Sequence, residues 1–139
     1  DIIVGFCSET EEEFQDTLEM IRYSNYTLCY MYNYSERPGT LAAKKYPDDI
    51  PNEVKQRRLA ETIVVQRQSS YESNLLDIGK TFEVLIEGDS KKSNQQFAGR
   101  NSQNKVIVFR KSGEYKPGDF VMVQVTDVTS GTLLGKLVS

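Results

Sequence analysis

Phe82-Glu83-Val84-Leu85-Ile86-Glu87 decides how the second half of the chain is read. Side chains alternate faces along an extended backbone, so Phe82, Val84 and Ile86 fall on one side and Glu83, Leu85 and Glu87 on the other. Downstream, Lys105–Phe109 is a compact β-rich run, Val121, Val123 and Val125 repeat the period of two, and Thr132–Val138 is a last β-rich run. Gly88-Asp89, Ser112-Gly113, Pro117-Gly118-Asp119 and Ser130-Gly131 mark turns between them. Four or five short strands with no helix among them predict a small antiparallel β-barrel over 74–139.

Upstream the period lengthens. Asp48-Asp49-Ile50-Pro51 opens a long helix, proline being tolerated in a first turn. Its buried stripe is read from Leu59, Ile63, Gln66 and Tyr71. Run from Pro51 to Asn74, it is ~36 Å long at 1.5 Å per residue, the length of a strut between modules. Ahead of it, Asp1-Ile2-Ile3-Val4-Gly5-Phe6-Cys7 reads as a strand buried on both faces. Thr10 and Glu13 form a capping box, Glu11 and Glu12 add to an acidic first turn, and Phe14, Leu18 and Ile21 face inward from a helix over Thr10–Tyr23. Leu28–Tyr34 is a second strand. Strand, helix and strand over 34 residues predict a parallel βαβ unit, so residues 1–73 form one domain with the long helix. A sequence that opens inside a doubly buried strand, without an initiator Met, is expected to be a piece of a longer chain. Unpaired edges on two such strands predict a dimer or swapped assembly through residues 1–34.

The 139 residues carry 17 Lys+Arg against 20 Asp+Glu, unevenly spread. Residues 1–73 hold 8 bases and 13 acids, whereas 74–139 hold 9 bases and 7 acids. Ser90–Lys111 contains six bases and no acid, interleaved with Asn94, Gln95, Gln96, Asn101, Gln103 and Asn104. That is the composition of a polyanion-facing surface. The absence of histidine excludes Ser-His-Asp triads, Cys-His dyads and histidine metal sites within this chain. Cys7 and Cys29 lack C-x-x-C spacing and are read as reduced thiols of a cytoplasmic protein, Cys7 in a turn and Cys29 in a strand core. No apolar run reaches the ~18 residues of a membrane span. Glu11, Glu12, Glu13, Asp48 and Asp49 are read as helix-cap charges facing water. Lys55, Arg57 and Arg58 are read as a solvated helix face.

Three stretches together carry a family resemblance. Asp1-Ile-Ile-Val-Gly-Phe-Cys-Ser-Glu-Thr-Glu-Glu-Glu-Phe14 resembles the fifth-strand segment of radical-SAM methylthiotransferases, in which the loop usually reads Gly-Phe-Pro-Gly-Glu-Thr. Cys7-Ser8 departs from that pattern. Tyr34-Ser-Glu-Arg-Pro-Gly-Thr40, followed by Ala42-Ala43, looks like the loop after their sixth strand. Val84–Ser93, Gly99-Arg100-Asn101 and Asn104–Phe109 are similar to their C-terminal TRAM domain. The likeness covers essentially the whole chain. Arg37-Pro38, Ser90-Lys91-Lys92-Ser93 and the basic barrel point to the tRNA-modifying branch of the family.

This resemblance implies an α+β chain made of a parallel βαβ remnant of a radical-SAM barrel, a long connecting helix and an OB-like TRAM barrel. It implies a parent enzyme that adds a methylthio group to carbon 2 of an isopentenylated adenosine beside the anticodon, using two 4Fe-4S clusters and S-adenosylmethionine. The chain has no C-x-x-x-C-x-x-C, so it is expected to hold no cofactor and to be inactive alone. Gly5, Phe6 and Arg37 are the residues expected at the S-adenosylmethionine pocket. For the tRNA anticodon stem-loop, Arg100, Asn104 and Lys105 are the expected direct contacts, with Lys91, Lys92, Arg110 and Lys111 as steering charges. Tyr115 is a candidate for base stacking and Phe97 a packing residue. Two rival readings stand beside this one: a free-standing OB-like RNA-binding module with no enzymatic parent, and a small thiol enzyme using Cys7.

Overall fold

The computed structural model describes residues 1–138. The chain divides into two compact units, Asp1–Ser69 and Ser70–Ser139.

In the first unit, β1 (Ile2–Val4) and β2 (Met31–Asn33) pair in parallel around α1 (Glu11–Ser24), with Ile2 opposite Met31 and Val4 opposite Asn33. The capping box forms as expected. Thr10 Oγ1 accepts from the Glu13 N–H at 3.1 Å, and the Glu13 carboxylate accepts from the Thr10 N–H at 2.8 Å. Asn25 ends α1 in the left-handed region, where its N–H donates to the Ile21 carbonyl. Val4, Phe14, Leu18 and Ile21 make a core that Leu59 and Val65 close from one side. β2 is shorter than the sequence suggests because β1 offers it only three residues of partner. Leu28 and Tyr30 therefore lie exposed, and Cys29 is half-buried, not a core residue.

A short α2 (Leu41–Lys45), capped by Thr40, leads to α3 (Asn52–Leu75). The helix itself matches expectation; of its expected buried stripe only Gln66 is fully buried. Lys55, Arg58, Thr62, Gln66 and Ser69 are buried, while Leu59 and Ile63 are only half-buried and Tyr71 is exposed. These five recur at helical spacing, so α3 turns a polar stripe inward. Partners make that burial tolerable. Lys55 Nζ sits 2.6 Å from Asp48 and 3.3 Å from the Tyr34 carbonyl, and an Arg58 nitrogen lies 2.8 Å from Glu9 Oε1 and 2.9 Å from its carbonyl. The reading of Lys55 and Arg58 as a solvated face is thereby corrected. Arg57 does reach solvent, paired with Glu11 and Glu61.

The second unit holds β3 (Thr81–Ser90), β4 (Ser93–Arg100), β5 (Val106–Arg110), β6 (Phe120–Val128) and β7 (Leu133–Leu137), closed in the order β3-β4-β5-β7-β6 with β6 back on β3. Every pairing is antiparallel except β5–β7, which is parallel, with Ile107 opposite Leu133. A ring of five strands cannot alternate direction all the way round, so one parallel seam is a necessity of closure. Val84, Ile86, Phe97, Ile107, Phe109 and Val123 fill the interior. Gly99 and Gly135 let neighbouring strands come close: a Cβ on Gly99 would meet Val84 Cγ1 at 2.7 Å, and one on Gly135 the Gln124 carbonyl at 2.7 Å. Gly88-Asp89, expected as a turn, instead lies within a β3 that is irregular on both sides of it, and the reversal falls at Lys91-Lys92.

Candidate nucleic-acid interface

Alternation along β4 and β5 sends Phe97, Gly99, Ile107 and Phe109 into the barrel and Gln96, Ala98, Arg100, Val106, Val108 and Arg110 out of it. The outward residues meet across the strand pair as Gln96–Arg110, Ala98–Val108 and Arg100–Val106, and Val108 is in turn opposite Leu134 of β7. The result is a shallow cleft of about 680 Å³ with an aliphatic floor of Ala98, Val106, Val108 and Leu134. The β3–β4 hairpin, with Ser90, Lys91 and Lys92, forms one wall, and the β6–β7 loop, with Thr129 and Thr132, forms another. In OB-type barrels the face of the second and third strands, bounded by the first and last hairpin loops, is where oligonucleotides and oligosaccharides bind. Here those strands are β4 and β5, and the loops are the two walls.

The structure sorts the seven bases and amides expected to meet RNA. Lys91 and Lys92 stand exposed at the hairpin tip and line the cleft, as does Arg100. Arg100 Nε is 3.2 Å from Glu87, and its guanidinium also donates to the Asn104 carbonyl and side-chain oxygen, each at 3.2 Å. Asn104 takes φ 62° in the β4–β5 turn and acts as a holder of Arg100. Arg110 is exposed opposite Gln96. Lys111 Nζ lies 2.6 Å from Asp89 and 4.7 Å from the centre of the Phe97 ring, which is itself in the core.

Lys105 corrects the expectation of a direct RNA contact. It is 8% exposed, and its Nζ is 2.6 Å from Asp77, a carboxylate that also receives Lys80 at 3.2 Å. Its N–H is held by Asn101 Oδ1, which accepts from Gln103 as well. Tyr115 is exposed in the β5–β6 connection and does not line the cleft. Sequence reasoning missed Glu87 and Asp89, whose carboxylates face the very bases it singled out.

In the first unit, Gly5 and Phe6 lie just beyond the C-terminal end of β1. Gly5 has φ 75°, its N–H donates to Glu9 Oε1 at 2.9 Å, and a Cβ there would meet Lys55 Cγ at 2.7 Å. Phe6 is partly exposed and meets Tyr34 edge-on, with centroids 5.0 Å apart. Arg37 is exposed, and it is its carbonyl that accepts from Thr40 Oγ1, at 2.8 Å. Cys7 is buried, its Sγ 3.8 Å from the Tyr46 carbonyl. Burial first, and then Cys7, pushes the Tyr34 phenol up from its ordinary value. Ser8 keeps φ 65°, where the usual family loop has glycine, and its N–H donates to Asp49 at 2.7 Å. Asp48 and Asp49 stay exposed, as expected, and each also grips a protein group. Among the described residues no cluster of three or more Cys, Asp or Glu is arranged to hold a metal ion, and no helix is long and apolar enough to cross a membrane.

Residues 76–138 match the family model of the TRAM domain, so the barrel that carries the cleft is a TRAM domain. Over nearly its whole length the chain is similar to tRNA-2-methylthio-N(6)-dimethylallyladenosine synthases. It is 56% identical to that of Amoebophilus asiaticus over 99% of this chain, 52% identical to that of Phocaeicola vulgatus over 98%, and 50% identical to that of one Porphyromonas gingivalis strain over 99%. The chain spans 28–30% of the length of these curated relatives. Among solved structures, the apo form of Mycoplasma genitalium RNase R aligns with a TM-score of 0.38 and 15% identity over 70% of this chain and 19% of that one, too distant to bear on the fold.

Proposed function

We propose that this chain supplies the RNA-holding barrel and part of the S-adenosylmethionine barrel of a longer cytoplasmic enzyme that methylthiolates carbon 2 of isopentenylated adenosine next to the anticodon. The β4–β5 cleft carries the reading. It combines an aliphatic floor, which can pack against unpaired bases and riboses, with Lys91, Lys92 and Arg100 at its edge for phosphates. Arg110 and Lys111 add charge beside it, and Asn104 accepts from the Arg100 guanidinium. The anticodon stem-loop, with its unpaired nucleotides, is the partner this surface suits.

Phe6 offers an exposed ring beyond a parallel strand's C-terminal end, where α/β folds hold ligands, on a turn that the positive φ of Gly5 allows. That is the share of the S-adenosylmethionine pocket assigned to this chain, with Arg37 as an exposed cation in the loop after β2. Two cysteines, one of them buried, do not make a ligand set for an iron–sulfur cluster, so the clusters are assigned to other parts of the longer protein and the chain alone is inactive. The exposed strands of residues 1–34 are assigned a dimer or swapped contact when the chain stands by itself.

A salt titration of binding to an anticodon stem-loop RNA tests the RNA reading. Binding should weaken steeply with salt, and Arg100→Ala or paired Lys91→Ala and Lys92→Ala substitutions should weaken it several-fold. Each lost cation should flatten the log–log slope by roughly 0.7–0.9. No binding at low salt overturns the assignment of RNA to this barrel.

A further inference from the structure

We propose that Glu87 and Asp89 are built-in competitors of RNA: they occupy Arg100 and Lys111 in the free protein, hold down binding of indiscriminate polyanions, and make those two cations available only to a ligand that displaces them. The inference rests on the assignment of RNA to the cleft and deepens it.

Three observations converge. The first is the pairing itself. Arg100 Nε is 3.2 Å from Glu87, and Lys111 Nζ is 2.6 Å from Asp89, so the two carboxylates of β3 lie against bases, one on the adjacent β4 and one just past the end of β5. The second is the backbone. The β3–β4 register jumps between Ile86 and Gly88 and again between Asp89 and Ser90, leaving Glu87 opposite no residue of β4. Such bulges turn side chains out of the regular alternation and recur beside binding sites. Glu87 and Asp89 flank this irregular segment, and both line the cleft. The third is exposure. The two carboxylates are 50% and 52% exposed. Ion pairs this open to water contribute little to folding. They are therefore cheap to break, unlike the buried Lys105–Asp77 pair at 8% and 5%.

The consequence is a face whose formal charge overstates its reach. The run Ser90–Lys111 has six bases and no acid in sequence. In space, one base is buried and two are neutralised by acids from outside the run. Phosphates arriving at the cleft meet Lys91 and Lys92 first. Arg100 and Lys111 are gained only by exchange of one anion for another.

Glu87→Gln with Asp89→Asn frees both cations while preserving side-chain size. Binding of the anticodon stem-loop to this double variant should tighten roughly tenfold at low salt, about what two exposed pairs can withhold. Its log–log salt slope should steepen by about 1.4, two further phosphate contacts to a single strand. Glu83→Gln, which removes one negative charge from β3 outside the cleft, should change affinity less than twofold. Adding Arg100→Ala and Lys111→Ala to the double variant should abolish the gain. Unchanged or weaker binding in the double variant, or an equal gain in Glu83→Gln, overturns the competitor role. Failure of the wild-type chain to bind at all instead overturns the RNA assignment beneath it. Thermal melts of each variant confirm that the barrel is intact.

Discussion

Lys105 shows how one residue's environment redefines its part. Its ammonium and the Asp77 carboxylate are both more than nine-tenths buried, 2.6 Å apart, and Asp77 is also touched by Lys80. Breaking such a buried pair costs about 3–5 kcal/mol, chiefly because one charge is left without its partner in a poorly solvated place. The two single substitutions should therefore be unequal. Asp77→Asn strands Lys105 and should lower unfolding stability by about 3 kcal/mol. Lys105→Met keeps the aliphatic stem and leaves Asp77 with Lys80, so about 1–2 kcal/mol is expected. Urea unfolding of both variants checks the order, and a larger loss in Lys105→Met refutes it. RNA affinity of whatever remains folded should be little changed, in contrast to Arg100→Ala. Lys105 was legible after all. It shares the period of two with inward-facing Ile107 and Phe109, whereas its charge drew the eye to RNA. Glu87 and Asp89 were not legible as cleft residues, because Gly88-Asp89 reads as a turn and the bases they meet, Arg100 and Lys111, are distant in sequence.

Helices and strands were read with uneven success, for reasons of chemistry. The capping box and acidic first turn located α1 to within a residue, since those signals are local. α3 was found from its opening and length, and Gln66 of its buried side with it, but Lys55 and Arg58 were not, because they turn inward only by virtue of partners outside the helix. β4 was hidden by Ser93-Asn94-Gln95-Gln96, polar residues with weak strand preference that pair because β3 and β5 flank them. The contact between α1 and α3 has a pH signature. Hydrogen bonds from Arg57 and then Gln15 hold the Glu11 carboxyl at about 2, against an ordinary value of 4.5. A carboxylate whose folded pKa is depressed adds stability above its unfolded pKa and loses it as pH falls through the folded one. Glu11 thus supports the fold fully at neutral pH, and its support fades from pH 4.5 down to about 2. Thermal melts of Glu11→Gln and wild type across that range should show a gap in midpoint that is constant above it and closes within it. A gap that persists unchanged to pH 2 would show that Glu11 acts by packing and not by charge.

At the scale of the whole molecule, the two units differ in how completely they close. The barrel pairs both edges of every strand and so offers no free edge to a neighbour. The β1–β2 sheet has only two strands, and its outer edges are unpaired. Ile3 and Tyr32 lie opposite one another on it, 58% and 52% exposed, with Leu28 and Tyr30 bare beside them. Two-stranded sheets are marginal in water, and flat apolar edges recruit further strands. Self-association should therefore run through residues 1–34 and leave the cleft free. Light scattering at rising concentration should show a dimer. Tyr32→Lys or Ile3→Lys, each placing a charge on the exposed apolar face, should raise the dissociation constant by roughly tenfold, equivalent to about 1.4 kcal/mol of lost contact. Lys91→Ala, at the opposite kind of surface, should leave it unchanged. If the chain stays monomeric at every concentration, the bare face is self-sufficient and the assembly proposal fails. If Lys91→Ala dissolves the dimer instead, the barrel is the interface, and the same cleft would then have to serve protein and RNA in competition.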